Sequence, residues 1–248
     1  MRIAVLSDIH SNIYALDAII DDLRKRGADL TLNLGDILYG PIAPRRTYER
    51  LMEQDYITIR GNQDRQIYEA APTEIDSNPT LQFILQDLGT EPVQWMKQLA
   101  PSLQITDEVF ICHGTPNDDL TYLLEDVSSG HPQLRPNHEI LGLLGTIHSK
   151  VILCGHTHIP RSVCVSSGQL IVNPGSVGLP AYADSEPQPH SMETFSPHAS
   201  YALVDRSKEG TWNVEFFNVS YDTDSAARDA VARKREDWGF YLSTGRAS

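Results

Sequence analysis

Five apolar segments of this chain are each followed by residues whose side chains could bind a metal ion. The segments are "IAVL", "LTLNL", "YITI", "VFIC" and "VILC", and their composition is typical of β-strands. The residues that follow them are Asp8 and His10, Asp36, Asn62, His113, and His156 with His158. Because the carboxyl ends of strands in an open α/β sheet form the crevice where ligands bind, these side chains are expected to converge, although they lie up to 150 residues apart.

The chemistry of these seven side chains favours transition-metal ions. Carboxylates and imidazoles without a thiolate suit divalent Mn, Fe, Zn, Co or Ni better than Ca. Seven ligands exceed what one ion takes, so two ions that share one carboxylate are the simplest arrangement. Asp8 and His10 are spaced i, i+2, which points both side chains to the same side if the backbone is extended. The same spacing separates His156 from His158.

Each of these residues alone also has an ordinary structural explanation. A single Asp at a strand end usually caps a turn or a helix, and a single His beside a strand is usually a hydrogen-bonded core residue. The repetition at five strand ends, together with the two imidazoles of GHTH at 155–158, favours the metal site instead.

The elements that must position these residues alternate between strand and helix in the first part of the chain. This alternation predicts an α/β fold, and the strand-rich second half predicts a second mixed sheet packed on the first, with helices flanking both. We expect a single domain over 1–248, with a small helical cap or lid within 72–150. Residues 181–200 carry three prolines and four serines, which predicts a mobile loop. A mostly polar helix near 223–236 is expected to be peripheral.

Composition excludes several classes of function. The formal charge of −13 disfavours stable binding to nucleic acid or to an anionic membrane. The first residues lack the pattern of a signal peptide, and no apolar run approaches the length of about 20 residues that a membrane span needs. Cys112, Cys154 and Cys164 form no CxxC pair and are expected to be free, mostly buried thiols in a reducing cytoplasm. The sequence gives no indication of oligomeric state.

The motifs DxH at 8–10, GD at 35–36, GN at 61–62, HG at 113–114 and GHTH at 155–158 resemble those of the calcineurin-like metallophosphoesterases in order and spacing. The resemblance runs from Met1 to about Tyr221. "VNPGSVGLP" and "SYALVD" are similar to the YfcE-like phosphodiesterase branch of that family. The resemblance implies a layered sandwich of two mixed sheets. It also implies a ligand assignment: Asp8, His10 and His158 hold one ion, Asn62, His113 and His156 hold the other, and Asp36 bridges them.

The resemblance also implies hydrolysis of phosphate esters at a dinuclear site. Two ions lower the pKa of a bridging water, so that a metal-bridging hydroxide attacks a clamped phosphoryl group. Arg60 resembles a phosphate clamp of related phosphatases, and a solvated strand-end Arg is the equal alternative. Asn33 and Asn173 are candidates for hydrogen bonds that support the metal ligands, and Asn173 is also a candidate substrate-binding residue. Both are otherwise ordinary strand and turn asparagines.

Gln63 departs from the family pattern. The family mostly reads GNHD or GNHE here, and that His, oriented by a nearby Asp, resembles a general acid for the leaving group. By this resemblance Asn62, Gln63 and Asp64, together with Arg60, are candidate catalytic residues. Gln cannot donate a proton to a leaving group, so poor leaving groups should suffer most. His131 and His138 could replace that acid, although surface histidines are the simpler explanation. His148, His190 and His198 are expected to be structural or solvent-exposed.

The leading hypothesis is therefore a metal-dependent phosphoesterase that acts on phosphodiesters or nucleotide phosphoanhydrides. Its partner would be a phosphorylated small molecule or nucleotide. A Ser/Thr-type protein phosphatase or a dinucleoside polyphosphate hydrolase is an alternative within the same class. A non-catalytic metal-binding interaction module, as in the retromer subunit of similar fold, is an alternative of another class. All seven ligand positions are filled, which weighs against that module.

Overall fold

The computed structural model describes residues 1–247, in which strands and helices alternate over the first half of the chain. That half contains β1 (Arg2–Leu6), α1 (Ile13–Arg26), β2 (Leu30–Asn33), α2 (Pro44–Met52), β3 (Ile57–Thr58), α3 (Asn62–Glu69), α4 (Pro72–Ser77), α5 (Pro79–Leu88), α6 (Thr90–Gln98), β4 (Ser102–Thr106) and β5 (Val109–Cys112).

The second half is rich in strands. It contains β6 (Glu125–Asp126), β7 (Gln133–Leu134), α7 (Asn137–Leu144), β8 (Val151–Leu153), β9 (Arg161–Cys164), β10 (Leu170–Asn173), β11 (Ala181–Asp184), β12 (His190–Glu193), β13 (Ala199–Arg206), β14 (Trp212–Val219), α8 (Thr223–Ala232) and α9 (Glu236–Thr244).

Two five-stranded mixed sheets form the centre of the fold. The first has the order β14-β13-β1-β2-β3, with β1, β2 and β3 parallel. The second has the order β4-β5-β8-β10-β9, with β5, β8 and β10 parallel. The predicted α/β fold with two packed mixed sheets and flanking helices is confirmed. The carboxyl ends of β1, β2, β3, β5 and β8 are the ends that precede the candidate ligands.

Alternation along each strand builds two apolar layers. In β1, Ile3 and Val5 pack on residues of the second sheet such as Ile111, whereas Ala4 and Leu6 pack against helix α1. Burial of each such aliphatic side chain contributes about 1.5–3 kcal/mol. A third layer lies beyond the second sheet, where α7 covers Phe110, Cys112, Ile152, Cys154 and Ile171. The rigid sheets therefore fix the loops that leave their carboxyl ends.

The ends of helix α1 are explained by the local sequence. Helix α1 begins after Asn12, whose side-chain oxygen accepts a hydrogen bond from the amide of Ala15 at 3.1 Å. Its apolar residues face the first sheet, and it ends at Gly27, which has a φ of 72°. Among the described residues, no helix combines the length and the apolar character that crossing a membrane requires.

Several segments differ from their sequence predictions. Residues 181–200, predicted as a loop, contain the antiparallel pair β11–β12 and the start of β13. Their mobility stays a prediction. The helix predicted near 223–236 is two helices, and it is not peripheral, because Ala226, Ala230, Trp238 and Leu242 are buried against the start of α1. Hydrophobic partners from distant segments are not visible in a local pattern.

The cap predicted within 72–150 also stays a prediction. Helices α5 and α6 bury Leu81, Ile84, Leu88 and Met96 in the same apolar layer as α1, so they cover the first sheet. Strands β4 and β5 belong to the second sheet. The part of this segment that lines the clefts described below is the loop after His113, at 120–135.

Candidate metal centre

Asp8, His10 and His158 form the first of two potential ligand groups. The Nε2 atoms of the two imidazoles lie 3.0 Å apart, and Asp8 Oδ1 is 3.4 Å from His158 Nε2. His10 Nδ1 donates to the carbonyl of Tyr39 at 3.1 Å, and His158 Nδ1 donates to that of Leu179 at 2.6 Å. Because both Nδ1 atoms carry the proton of the neutral ring, two Nε2 lone pairs face each other.

This first group fits a cation. All three side chains are almost completely buried, and within residues 1–247 Asp8 Oδ1 has no hydrogen-bond partner. A buried carboxylate oxygen without a partner and two facing lone pairs are unfavourable unless a positive charge lies between them. Backbone hydrogen bonds on the far side of each ring are the usual support of metal-binding histidines.

Asp36, His113 and His156 form the second group, and Asn62 lies beside it. His113 Nε2 is 3.0 Å from Asn62 Oδ1 and 3.5 Å from Asp36 Oδ2, and its Nδ1 donates to the carbonyl of Leu34. His156 Nε2 donates to the carbonyl of Leu120 at 3.1 Å, which leaves His156 Nδ1 as its available ligand atom.

The two groups are adjacent. His113 Nε2 of the second group lies 4.0 Å from Asp8 Oδ1 of the first. The amide of His156 donates to Asp8 Oδ2 at 3.1 Å, so the GHTH loop is tied directly to the DxH loop. The structure thus brings all seven predicted ligand residues together at the sheet edge, with carboxylates between two sets of imidazoles.

The charges at the centre also suit a bound cation. Burial and the neighbouring His158 lower the pKa of His10 to about 4. Burial likewise favours a neutral His113, but the carboxylates of Asp36 and Asp8 prevail and raise the pKa of His113 to about 10. Burial opposes ionisation of Asp8, and the surrounding imidazoles reverse that effect and lower its pKa. The carboxylates therefore retain a proton on His113 where a metal would supply the positive charge.

The backbone of the ligand loops is unusual. Five of the seven ligands have left-handed φ values: Asp8 (57°), His10 (49°), Asp36 (52°), His156 (73°) and His158 (60°). The expectation that extended backbone aligns the i, i+2 pairs is therefore wrong, since the side chains converge through left-handed turns. Such conformations cost on the order of 1 kcal/mol or more for each residue and are concentrated at functional sites.

Gly61 lets two of these loops approach closely. A Cβ at this position would meet the carboxylate of Asp36, whose backbone nitrogen would be 2.6 Å away. Asp36 Oδ1 in turn accepts a hydrogen bond from the amide of Gln63 at 2.9 Å. Gly61 precedes helix α3, and the absence of a Cβ at this position leaves room for Asp36.

Gln63 and Asp64 occupy different environments. Gln63 lines the cleft, and its Oε1 is buried and has no hydrogen-bond partner among the described residues. Asp64 is buried and accepts from the amides of Ile37 and Gly61, both at 2.9 Å. Burial and the charge of Asp36 raise the pKa of Asp64 to about 7. These backbone contacts position the Asp36 loop, and a catalytic role of Asp64 stays a prediction.

Arg60 lies beside the centre and not in the main cleft. Its Nη1 donates to Asp119 Oδ2 at 3.2 Å, and Arg65 binds the same carboxylate through two nitrogens, Nη2 at 2.8 Å and Nε at 2.9 Å. The three residues share a small hollow with His113. The phosphate-clamp role of Arg60 stays a prediction, and it would require a phosphate oxygen to compete with Asp119.

Asn173 is fully buried. Its amide nitrogen donates to the carbonyl of Gly155 at 2.8 Å and to the hydroxyl of Thr157 at 2.9 Å, and its oxygen accepts from Gly175. These hydrogen bonds position the GHTH loop, and a substrate contact of Asn173 stays a prediction. Asn33 is also buried and accepts from the amide of Gly35 at 3.4 Å.

Sequence reasoning missed the aromatic walls of the cleft. The ring of Tyr122 lies 4.6 Å from that of His156, and the ring of Tyr182 lies 4.6 Å from that of His158, measured between centroids. Trp238 of α9 meets His10 edge-on at 5.8 Å. These residues stand in segments without a recognisable motif, so no local signal marks them. His131 and His138 are exposed and do not line this cleft.

Comparison with known proteins agrees with this geometry. The family model described as the calcineurin-like phosphoesterase superfamily domain matches residues 1–205. An uncharacterized protein of Methanocaldococcus jannaschii is 24% identical over 267 residues, which cover 98% of each chain. Phosphodiesterase YfcE of Escherichia coli is 28% identical over 191 residues, which cover 73% of this chain and 81% of YfcE.

The overall fold has a match among solved structures. The metallophosphoesterase from Sphaerobacter thermophilus superposes with a TM-score of 0.74 at 23% identity, over 99% of this chain and 100% of that one. The predicted resemblance to the family and to its YfcE-like branch is confirmed. The chain belongs to the calcineurin-like phosphoesterase superfamily and is, with that family, a phosphoester hydrolase.

Proposed function

We propose that this chain is a dinuclear metal-dependent hydrolase of phosphodiesters. The observation that carries the proposal is the pair of adjacent ligand groups, Asp8-His10-His158 and Asp36-His113-His156. Each group has the carboxylate and imidazole donors that suit Mn, Fe, Zn, Co or Ni, and Asn62 adds an oxygen to the second. Asp36, which is close to both groups, is the proposed shared ligand.

The residues of the chain prepare this centre for catalysis. Backbone carbonyls accept hydrogen bonds from Nδ1 of three imidazoles and from Nε2 of the fourth, so the opposite nitrogen of each ring is the one offered to a metal and no ring must reorient. Left-handed turns and Gly61 hold the carboxylates at the edge of the cleft. When bound, two ions activate a water and neutralise the phosphoryl oxygens for in-line attack.

Gln63 supports a restriction on the leaving group. It is the cleft residue at the position where the family mostly carries His, and its amide can donate a hydrogen bond but not a proton. Esters or anhydrides whose leaving group departs without protonation are therefore the better substrates. The name of the relative YfcE supports phosphodiesters, and nucleotide phosphoanhydrides are the alternative within the same chemistry.

The test uses protein loaded separately with Mn²⁺, Fe²⁺, Zn²⁺, Co²⁺ and Ni²⁺. Hydrolysis of bis-p-nitrophenyl phosphate is compared with that of p-nitrophenyl phosphate, and Asp36→Asn is the inactive control. We expect turnover of the diester in at least one metal form and a loss of about 10²-fold or more in the control, since the shared ligand is weakened. Two bound ions without turnover of either ester would instead favour the metal-binding module.

A further inference from the structure

A second cavity opens directly beside the metal cleft. It has a volume of about 680 Å³, within the range of sites that hold ligands of drug or nucleoside size. The two cavities share four lining residues, Asn62, Tyr122, His156 and Asp184, and two of these are candidate ligand residues. A molecule that reacts at the metal centre can therefore extend into this cavity without leaving the protein.

Much of the wall of this cavity is apolar. Leu120, Tyr122, Val127 and Pro187 contribute to it, and Leu120 keeps 58% of its surface exposed although it is a large aliphatic residue. The carbonyl of Leu120 also accepts the Nε2–H of His156 at 3.1 Å. The loop that forms the apolar wall thus also orients a candidate metal ligand, so the cavity begins next to the centre.

The charges around the cavity disfavour an anionic occupant. Asp126, Asp184 and Glu186 line it, and among the described lining residues Arg135 is the one Arg or Lys. The guanidinium of Arg135 is already engaged, since it donates to the carbonyl of Tyr122 at 3.0 Å and to Glu139 at 3.2 Å. A phosphate in this cavity would meet excess negative charge without a free cationic partner.

We infer that this cavity binds one ester group of a phosphodiester, and that this group is uncharged and of about the size of a nucleoside. The inference rests on the proposed function and narrows its substrate class. Apolar walls stabilise the organic group by burial, while the surrounding carboxylates reject a second phosphate. A dinucleoside polyphosphate would place further anionic groups beside these carboxylates and is disfavoured as the substrate.

The experiment compares two diesters that release the same leaving group, methyl p-nitrophenyl phosphate and thymidine 5′-(p-nitrophenyl phosphate). The metal-loaded enzyme is expected to favour the thymidine ester in kcat/KM by about tenfold or more. A 3′-phosphate added to the thymidine ester should reduce kcat/KM by about tenfold through repulsion. Ser128→Trp fills the cavity from an exposed lining position and should reduce the preference for thymidine, whereas Ser129→Trp, at the next position and outside the lining, should preserve it.

The outcomes separate the two proposals. Turnover of both esters with equal kcat/KM, or an unchanged preference in Ser128→Trp with the unfolding temperature preserved, would overturn the cavity assignment and leave the hydrolase intact. Faster cleavage of the 3′-phosphorylated ester would overturn the charge argument. Absence of turnover of every ester, with two ions bound, would instead overturn the hydrolase and the cavity assignment with it.

Discussion

Gly61→Ala is expected to damage the metal centre by a steric effect alone. Gly61 has φ −97° and ψ −175°, values that alanine adopts without strain. The added Cβ, however, would overlap the carboxylate of Asp36 and lie 2.6 Å from its backbone nitrogen and 2.8 Å from its Cγ. The side chain of Asp36 cannot easily move away, because its Oδ1 accepts a hydrogen bond from the amide of Gln63 and the residue is buried.

The magnitude follows from the cost of overpacking. An added methyl group in a closely packed site costs about 1–3 kcal/mol. For a chain of this length, a loss of about 2 kcal/mol lowers the unfolding temperature by roughly 4–8 °C. Displacement of Asp36 should also remove the shared ligand, so we expect fewer than two bound ions per chain and a fall in kcat of about 10²-fold.

A matched control distinguishes the effect of the clash with Asp36 from the effect of adding a methyl group to a glycine. Gly142 lies within helix α7 and is exposed, and a Cβ there would meet no heavy atom within 4 Å. Gly142→Ala should therefore stabilise the protein by about 0.5–1 kcal/mol through helix propensity and leave metal content unchanged. Thermal unfolding, elemental analysis of bound metal and diester turnover provide the readouts. Full metal content and wild-type turnover in Gly61→Ala would refute this reasoning.

Two further predictions concern the metals and the leaving group. Removal of metal by a chelator should lower the unfolding temperature by several degrees, since a ligand at about 100 times its Kd stabilises the folded state by about 2.7 kcal/mol. Asp8→Asn should reduce this difference in unfolding temperature between the metal-loaded and the metal-free protein. If calorimetry finds the same difference in Asp8→Asn as in the wild type, the assignment of the first group is contradicted. Gln63→His should raise kcat for a methyl ester, which has a poor leaving group, by about 10²-fold and barely change kcat for p-nitrophenyl esters. Equal changes in kcat for the two kinds of ester would argue against Gln63 facing the leaving group.

The sequence predicted the fold and selected the candidate ligands because the signals for both are local. An apolar run followed by glycine and a ligand is visible in a few residues, as in the segment that ends at Gly61-Asn62. Five such endings imply a common sheet edge, since parallel strands share their carboxyl ends. The seven ligand residues could therefore be selected before any contact between them was known.

What the sequence could not predict depends on contacts between distant segments. The environment of Asn173 is set by the GHTH loop, whose carbonyl and hydroxyl accept its buried hydrogen bonds, and its turn position gave no indication of these partners. Trp238 lies edge-on to His10 and belongs to the same apolar cluster as Ile13 at the start of α1, a proximity that no periodicity reveals. The left-handed φ of Asp8 follows from the fit between loops, and its side-chain type gives only a weak hint.

Charges near the metal centre and charges farther from it have opposite effects on an anionic substrate. Near the centre, two divalent ions would outweigh the carboxylates of Asp8 and Asp36 and attract a singly charged diester. Farther out, the carboxylates that line the second cavity and the overall charge of −13 repel additional anionic groups. A Debye length of about 8 Å at physiological salt confines the attraction to the vicinity of the ions. A phosphodiester with one charged phosphate and uncharged ester groups satisfies both conditions, whereas a polyphosphate satisfies only the first.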